Sequence, residues 1–220
     1  MFSLFKRKKY PEFYKNYLQS FKTKAPKTFE ETRFVVFDTE TTDLDIQLDK
    51  ILSIGAIAIK NGIIDISDSF EVYLEQDKFN SNTVEIHGLL KGGNLDKCSE
   101  NVAIEQFLNY IQNSVLVAHH AAFDITMINQ ALKNLNLQSL KNKSIDTGIL
   151  YKKLAGKKED HFNLDKLCDE FNIPKQDRHT ASGDAFITAV LLLKIYSKLK
   201  LERTVHYSDL FRNSNQKGLI

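Results

Sequence analysis

The chain has 220 residues, 42% hydrophobic and 26% charged, with a formal net charge of +2. That balance suits one globular core with an extension and excludes a low-complexity chain. No apolar run reaches the roughly 18 residues of a membrane span, and the two cysteines, Cys98 and Cys168, stand far apart and read as reduced, buried thiols.

The charge is uneven. Residues 1–31 hold eight Lys or Arg against three Glu, a net +5, and the remainder nets −3. The start, Met1-Phe2-Ser3-Leu4-Phe5-Lys6-Arg7-Lys8-Lys9, places its charges after a very short apolar patch. A secretion signal has the reverse order, so a cytoplasmic placement is expected. Residues 1–31 read as a basic arm and linker, 32–201 as the main domain, and 202–220 as a polar tail. In the arm, Tyr14, Tyr17, Leu18 and Phe21 share one helical face. That helix either folds back on the core or docks on a partner.

In the main domain, 34–37 and 51–59 read as strands, and Asn61-Gly62 as a hairpin turn into a third strand over 63–74. Ser99 stands where it can cap a helix running to residue 111. A strand over 115–118 precedes a helix over 122–135. A strand over 144–146 precedes a helix near 147–154. Asn163 caps a helix ending near 171, and a long helix covers 182–199. Strands first, then strands alternating with helices, predict an α/β domain with a mixed sheet.

Four acids stand at the ends of these elements. Asp38 and Glu40, in Phe37-Asp38-Thr39-Glu40-Thr41-Thr42, are two apart on a strand end and point to one face. Burying both is costly unless a cation neutralises them. Asp124 opens a helix after Ala118-His119-His120-Ala121-Ala122-Phe123, and Asp184 opens the last helix. Either of these two alone is explained by the helix dipole. His179 stands in the loop before Asp184, and a histidine there can serve as a base toward a metal-bound water. His119 and His120 are adjacent, point in different directions and make a poor chelate, so packing or hydrogen bonding is their expected role.

Hard carboxylate oxygens without a cysteine cluster select Mg²⁺ or Mn²⁺. Two such ions roughly 4 Å apart serve phosphodiester hydrolysis. In that arrangement Asp38 bridges both ions, Glu40 and Asp184 hold the ion near the attacking water, and Asp124 supports the other.

The three segments, with His179-Thr180-Ala181-Ser182-Gly183-Asp184-Ala185 as the third, resemble the motifs of the DEDD exonuclease superfamily in its histidine subgroup. That subgroup includes the proofreading epsilon subunit of bacterial DNA polymerase III. Ile86-His87-Gly88-Leu89, Asp146-Thr147 and Asn163-Leu164-Asp165-Lys166-Leu167 stand in family-like order, so the resemblance covers about 33–199. It implies a ribonuclease-H-like mixed sheet flanked by helices, and stepwise 3′→5′ removal of nucleoside 5′-monophosphates. It also implies the roles just given for the four acids and His179. Thr41 and Leu44 would contact the terminal nucleotide, and His87 and Phe123 would flank the same pocket. Three residues depart from the pattern: Asp43 replaces a glycine, Ser53 an acid, and His120 an asparagine or small polar residue. The implied partner is nucleic acid with a free 3′ end, single-stranded DNA first, and a DNA polymerase second. RNA ends, an inactive polymerase-binding module and a free-nucleotide phosphatase are the competing readings.

Overall fold

The computed structural model describes residues 9–77, 95–156 and 162–211. β1 (Phe34–Thr41), β2 (Ile51–Lys60) and β3 (Ile63–Leu74) form the predicted antiparallel meander. Asn61 and Gly62 turn between the last two with φ of 51° and 72°, the left-handed pair that a tight two-residue hairpin turn requires. β4 (Lys97–Cys98) joins β3 in parallel; it is two residues long, too short to show a period in sequence. β5 (Val115–Ala118) lies parallel to β1, and β6 (Ser144–Asp146) parallel to β5. The sheet order is β4-β3-β2-β1-β5-β6.

Helices cover both faces: α1 (Glu12–Ser20), α2 (Glu100–Ile111), α3 (Ala122–Asn134), α4 (Thr147–Ala155), α5 (Leu164–Phe171) and α6 (Ala181–Glu202). Alternation along β1 divides the core. Phe34 and Val36 join Leu150, Leu167 and Leu191 from α4, α5 and α6. Val35 and Phe37 join Tyr14, Phe107 and Ile128 from α1, α2 and α3. Side chains capping the helices next to the motifs fix where those helices begin. Asp146 accepts from Gly148 and Ile149, Asn163 from Asp165, and Thr180 from Gly183. Ser99 holds its cap position but makes no side-chain cap bond.

The arm helix packs on the core. Tyr14 and Tyr17 are fully buried in the α2–α3 cluster. The Tyr17 hydroxyl donates to Asn142 Oδ1 at 2.7 Å and accepts from the Lys141 amide at 2.8 Å, pinning the segment that enters β6. Truncation opens a cavity and orphans those partners. Tyr17→Ala is expected to lower unfolding free energy by about 3–5 kcal/mol, read from the denaturant midpoint; a loss below about 1 kcal/mol would mean that α1 is a detachable appendage. The stretch after α6 also contributes to the core: Tyr207–Leu210 is a short 3₁₀ helix, Leu210 is buried, and Thr32 donates to the Tyr207 hydroxyl at 3.0 Å.

Among the described residues, no helix is long and apolar enough to cross a membrane.

Candidate metal and catalytic centre

β1 runs past its hydrophobic half into Asp38-Thr39-Glu40, and its alternation continues there. Asp38 and Glu40 emerge on the α6 face, and Thr39 on the opposite one. Asp38 pairs with Gly55 of β2, where the missing side chain lets the start of α6 settle on the sheet. A Cβ on Gly55 would lie 2.2 Å from the Ser182 nitrogen and 2.3 Å from the Ala181 carbonyl carbon. That close approach delivers Asp184, in the first turn of α6, to the strand end. Carboxylate oxygens of Asp38, Glu40 and Asp184 all lie within 4.8 Å of one another.

Asp124 comes from the other side. β5 ends beside β1, the chain turns through His119 and His120, and α3 begins. Asp124 Oδ1 then accepts from the Thr39 amide at 3.0 Å and the Thr39 hydroxyl at 2.7 Å. The turn is braced: Ala121 donates to Asp146 Oδ2 at 2.9 Å. His119 Nε2 lies 2.6 Å from the Phe162 carbonyl, and Nδ1 lies 2.9 Å from the Thr147 hydroxyl. Burial, then His120, holds His119 down at about 4. The ring is therefore neutral near neutral pH, with Nε2–H donating to the carbonyl and Nδ1 accepting from Thr147. His119 is a brace, in line with the packing role expected for it.

The electrostatics record the crowding of the acids. Burial first, then Asp124, Asp184 and Glu40, hold the Asp38 carboxyl well above the usual range. Burial, then Asp184 and Asp124, push Glu40 up to about 7. Burial pushes Asp124 up to about 7 against the opposing hydrogen bonds from Thr39. Asp184 Oδ1 is buried and has no hydrogen-bond partner. Buried polar atoms are rarely left so. An orphaned oxygen on a carboxylate clustered with two others fits a divalent cation, and the all-oxygen donor set fits Mg²⁺ or Mn²⁺.

A pH dependence follows. Asp38, Glu40 and Asp124 have folded-state pKa values raised above their ordinary ones. Their contribution to stability is full below about pH 4 and is lost as pH rises, through about 7 for Glu40 and Asp124. A divalent ion binds the ionised carboxylates and reverses that loss. The melting temperature in Mn²⁺ minus that in EDTA is expected to be near zero at pH 5 and about 5 °C at pH 8. Equal differences at the two pH values would show that the ion binds elsewhere.

The remaining sequence-predicted residues are less uniformly placed. Thr41 is buried at the end of β1 and donates to the Asp43 carbonyl at 2.7 Å. Leu44 is 76% exposed on the following loop, free to meet a ligand. Phe123 is half-buried against the α3 side of the core. His179 sits exposed on the α5–α6 loop with φ of 63°; its ring makes no hydrogen bond to the four acids. His87 lies outside the described residues. Asp43, the departure from the family glycine, does not adopt a positive φ, and its Oδ1 accepts from the Leu44 amide at 2.9 Å. The loop therefore tolerates a side chain there. Buried Asp49 staples it, accepting from the Thr42 hydroxyl at 2.6 Å and the Asp45 amide at 2.8 Å.

Sequence reasoning missed Thr39, Gly55, Asp49 and Arg178. The Arg178 guanidinium donates to Asp184 Oδ2 and, at 2.8 Å, to Asp165 Oδ1. A lone arginine in an irregular loop has no periodicity to mark it. Its position directly before His179 was the available signal.

A model of the RNase_T family, described as exonuclease, matches residues 35–192, and the chain belongs to this exonuclease family. Its sheet and helices are ribonuclease-H-like, as predicted. Among curated proteins it is similar to the PolC-type DNA polymerase III of Bacillus subtilis (strain 168), 34% identical over 187 residues, covering 84% of this chain and 13% of that protein. It is also 34% identical over 193 residues to the PolC-type DNA polymerase III of Halalkalibacterium halodurans, covering 86% and 13%. The chain thus spans about an eighth of the length of these relatives. Among solved structures it resembles E. coli exonuclease I in complex with a dT13 oligonucleotide, with a TM-score of 0.68 and 14% identity, covering 78% of this chain and 42% of that one. It also resembles exonuclease X in complex with 5′-overhanging duplex DNA, with a TM-score of 0.61 and 21% identity, covering 81% and 99%. At those identities the two structures speak to the fold.

Proposed function

We propose that this chain is a metal-dependent 3′→5′ exonuclease that removes nucleoside 5′-monophosphates from DNA ends, in proofreading or repair. The observation that carries this reading is the convergence of Asp38, Glu40 and Asp184 within 4.8 Å, with Asp124 hydrogen-bonded alongside through Thr39. Bound there, two divalent ions would supply an activated water and stabilise charge on the leaving oxygen. Asp38 would be shared between the ions, Glu40 and Asp184 would serve the one beside the water, and Asp124 the other.

The chain's own residues do the rest. Exposed Leu44 and the strand end at Thr41 receive the terminal nucleotide, and Phe123 flanks it. His179, free on its loop, takes the proton from the attacking water; an exposed loop base can close on the site when substrate arrives. The similarity to PolC-type polymerases favours DNA and a polymerase as partner.

The test is digestion of a 3′-labelled single-stranded DNA and a matched RNA, each in Mg²⁺ and in EDTA. The expected result is release of mononucleotides from the DNA 3′ end in Mg²⁺ alone, with slower loss from RNA. Faster loss from RNA would make the chain an exoribonuclease. Retained cleavage in EDTA, or none in any metal, would overturn the reading.

A further inference from the structure

We propose that Arg178 is a built-in counter-cation for the carboxylate pocket: it competes with divalent ions for Asp184, weakening their binding, and keeps the metal-free pocket folded. The inference rests on the metal site proposed above and concerns what sets its affinity.

Arg178 lies on the loop between α5 and α6. Its Nε donates to Asp165 Oδ1 at 2.8 Å and its Nη2 approaches Asp165 Oδ2 at 3.4 Å, while Nη1 donates to Asp184 Oδ2. The Arg178 and Asp184 side chains are only 14% and 10% exposed, so water screens the pair weakly. The guanidinium is a rigid planar fork whose two sides divide between Asp165 and Asp184, so the two carboxylates compete for its charge. Among the described residues no other Lys or Arg is ion-paired with the four acids. The positive charge also opposes the upward shifts of Asp38 and Glu40. Asp184 therefore divides its oxygens: Oδ2 meets Arg178, and Oδ1 is buried without a partner.

Two substitutions should act in opposite directions. Arg178→Gln removes a positive charge beside the pocket, so Mn²⁺ should bind more tightly while the metal-free protein loses its counter-ion. Asp165→Asn removes the competing anchor, so the guanidinium commits to Asp184 and Mn²⁺ should bind more weakly. A merely structural role would shift both variants the same way.

The experiment is calorimetric titration of the full chain with MnCl₂ alone, paired with melting in EDTA. Arg178→Gln is expected to lower the Mn²⁺ dissociation constant about tenfold and to melt several degrees lower in EDTA, and Asp165→Asn to raise the constant about threefold. Arg178→Lys, which keeps the charge, should bind Mn²⁺ like the wild type. Weaker or unchanged Mn²⁺ binding by Arg178→Gln would overturn the proposal. If that variant does not fold, tighter or unchanged binding by Asp165→Asn would overturn it instead. A wild-type chain that binds no Mn²⁺ would remove the metal site itself, an outcome distinct from failure of the Arg178 prediction.

Discussion

Asp38→Asn is expected to lower 3′-end hydrolysis at least about a thousandfold while the protein stays folded and, in EDTA, melts a few degrees above the wild type. The two halves of that result have one cause. Asp38 is the acid whose ionisation is opposed by all three of the others, after burial itself. Removing its charge takes away the group best placed to bind both ions, and it also relieves its repulsion with Asp124, Asp184 and Glu40. Asn is nearly isosteric, so no cavity opens on β1. Ordinary ligand-to-core reasoning would predict destabilisation; a site built to hold cations predicts the reverse in their absence. Activity is read on a 3′-labelled DNA strand in Mn²⁺, and stability by calorimetry in EDTA. Wild-type turnover by the variant would end the two-ion reading, and a lower melting temperature in EDTA would mean that Asp38 is held by the fold and not strained by its neighbours.

Much of this was written in the local pattern of the chain. β3, β5 and β6 begin and end where apolar alternation and runs predicted, and Asn61-Gly62 turns as a two-residue hairpin must. Asp38 and Glu40 share a face because a strand repeats every two residues, which is a local rule. What was not legible depends on contacts across the fold. The sequence showed that Asp124 opens a helix, but not that Thr39, on the face away from Asp38, would be the group that holds it. The face shared by Tyr14 and Tyr17 left folding back on the core and docking on a partner both open in the sequence, and only its burial against α2 and α3 decides for the core. Tyr207 and Leu210 follow a helix in a polar stretch too short to show a repeat, and only the packing makes them core. Arg178 belongs to the same class: it sits on a loop, and its meaning comes from carboxylates on the two helices that flank that loop.

Gly55→Val is expected to cost at least about 1–3 kcal/mol of stability, and to weaken Mn²⁺ binding and DNA digestion by about a hundredfold or more. The wild-type distances explain why the two losses are linked. A Cβ at this position would meet Ser182 N at 2.2 Å and the Ala181 carbonyl oxygen at 2.6 Å, against the 3.4 Å or more of ordinary contact. Those atoms are backbone at the start of α6 and cannot rotate aside. The helix end must move outward by about 1 Å, and Asp184, in that first turn, moves with it. Asp38 is the strand partner of Gly55 and stays where it is, so the three-carboxylate cluster opens. Gly62→Ala supplies the contrast. Gly62 has φ of 72°, but nothing lies within 4 Å of its would-be Cβ. That change should cost about 1 kcal/mol of turn strain and leave metal affinity untouched. Melting curves with calorimetric Mn²⁺ titration of both variants separate the cases. If Gly55→Val and Gly62→Ala lost stability alike and both bound Mn²⁺ normally, the close seat of α6 on β2 would not be what brings Asp184 to the metal.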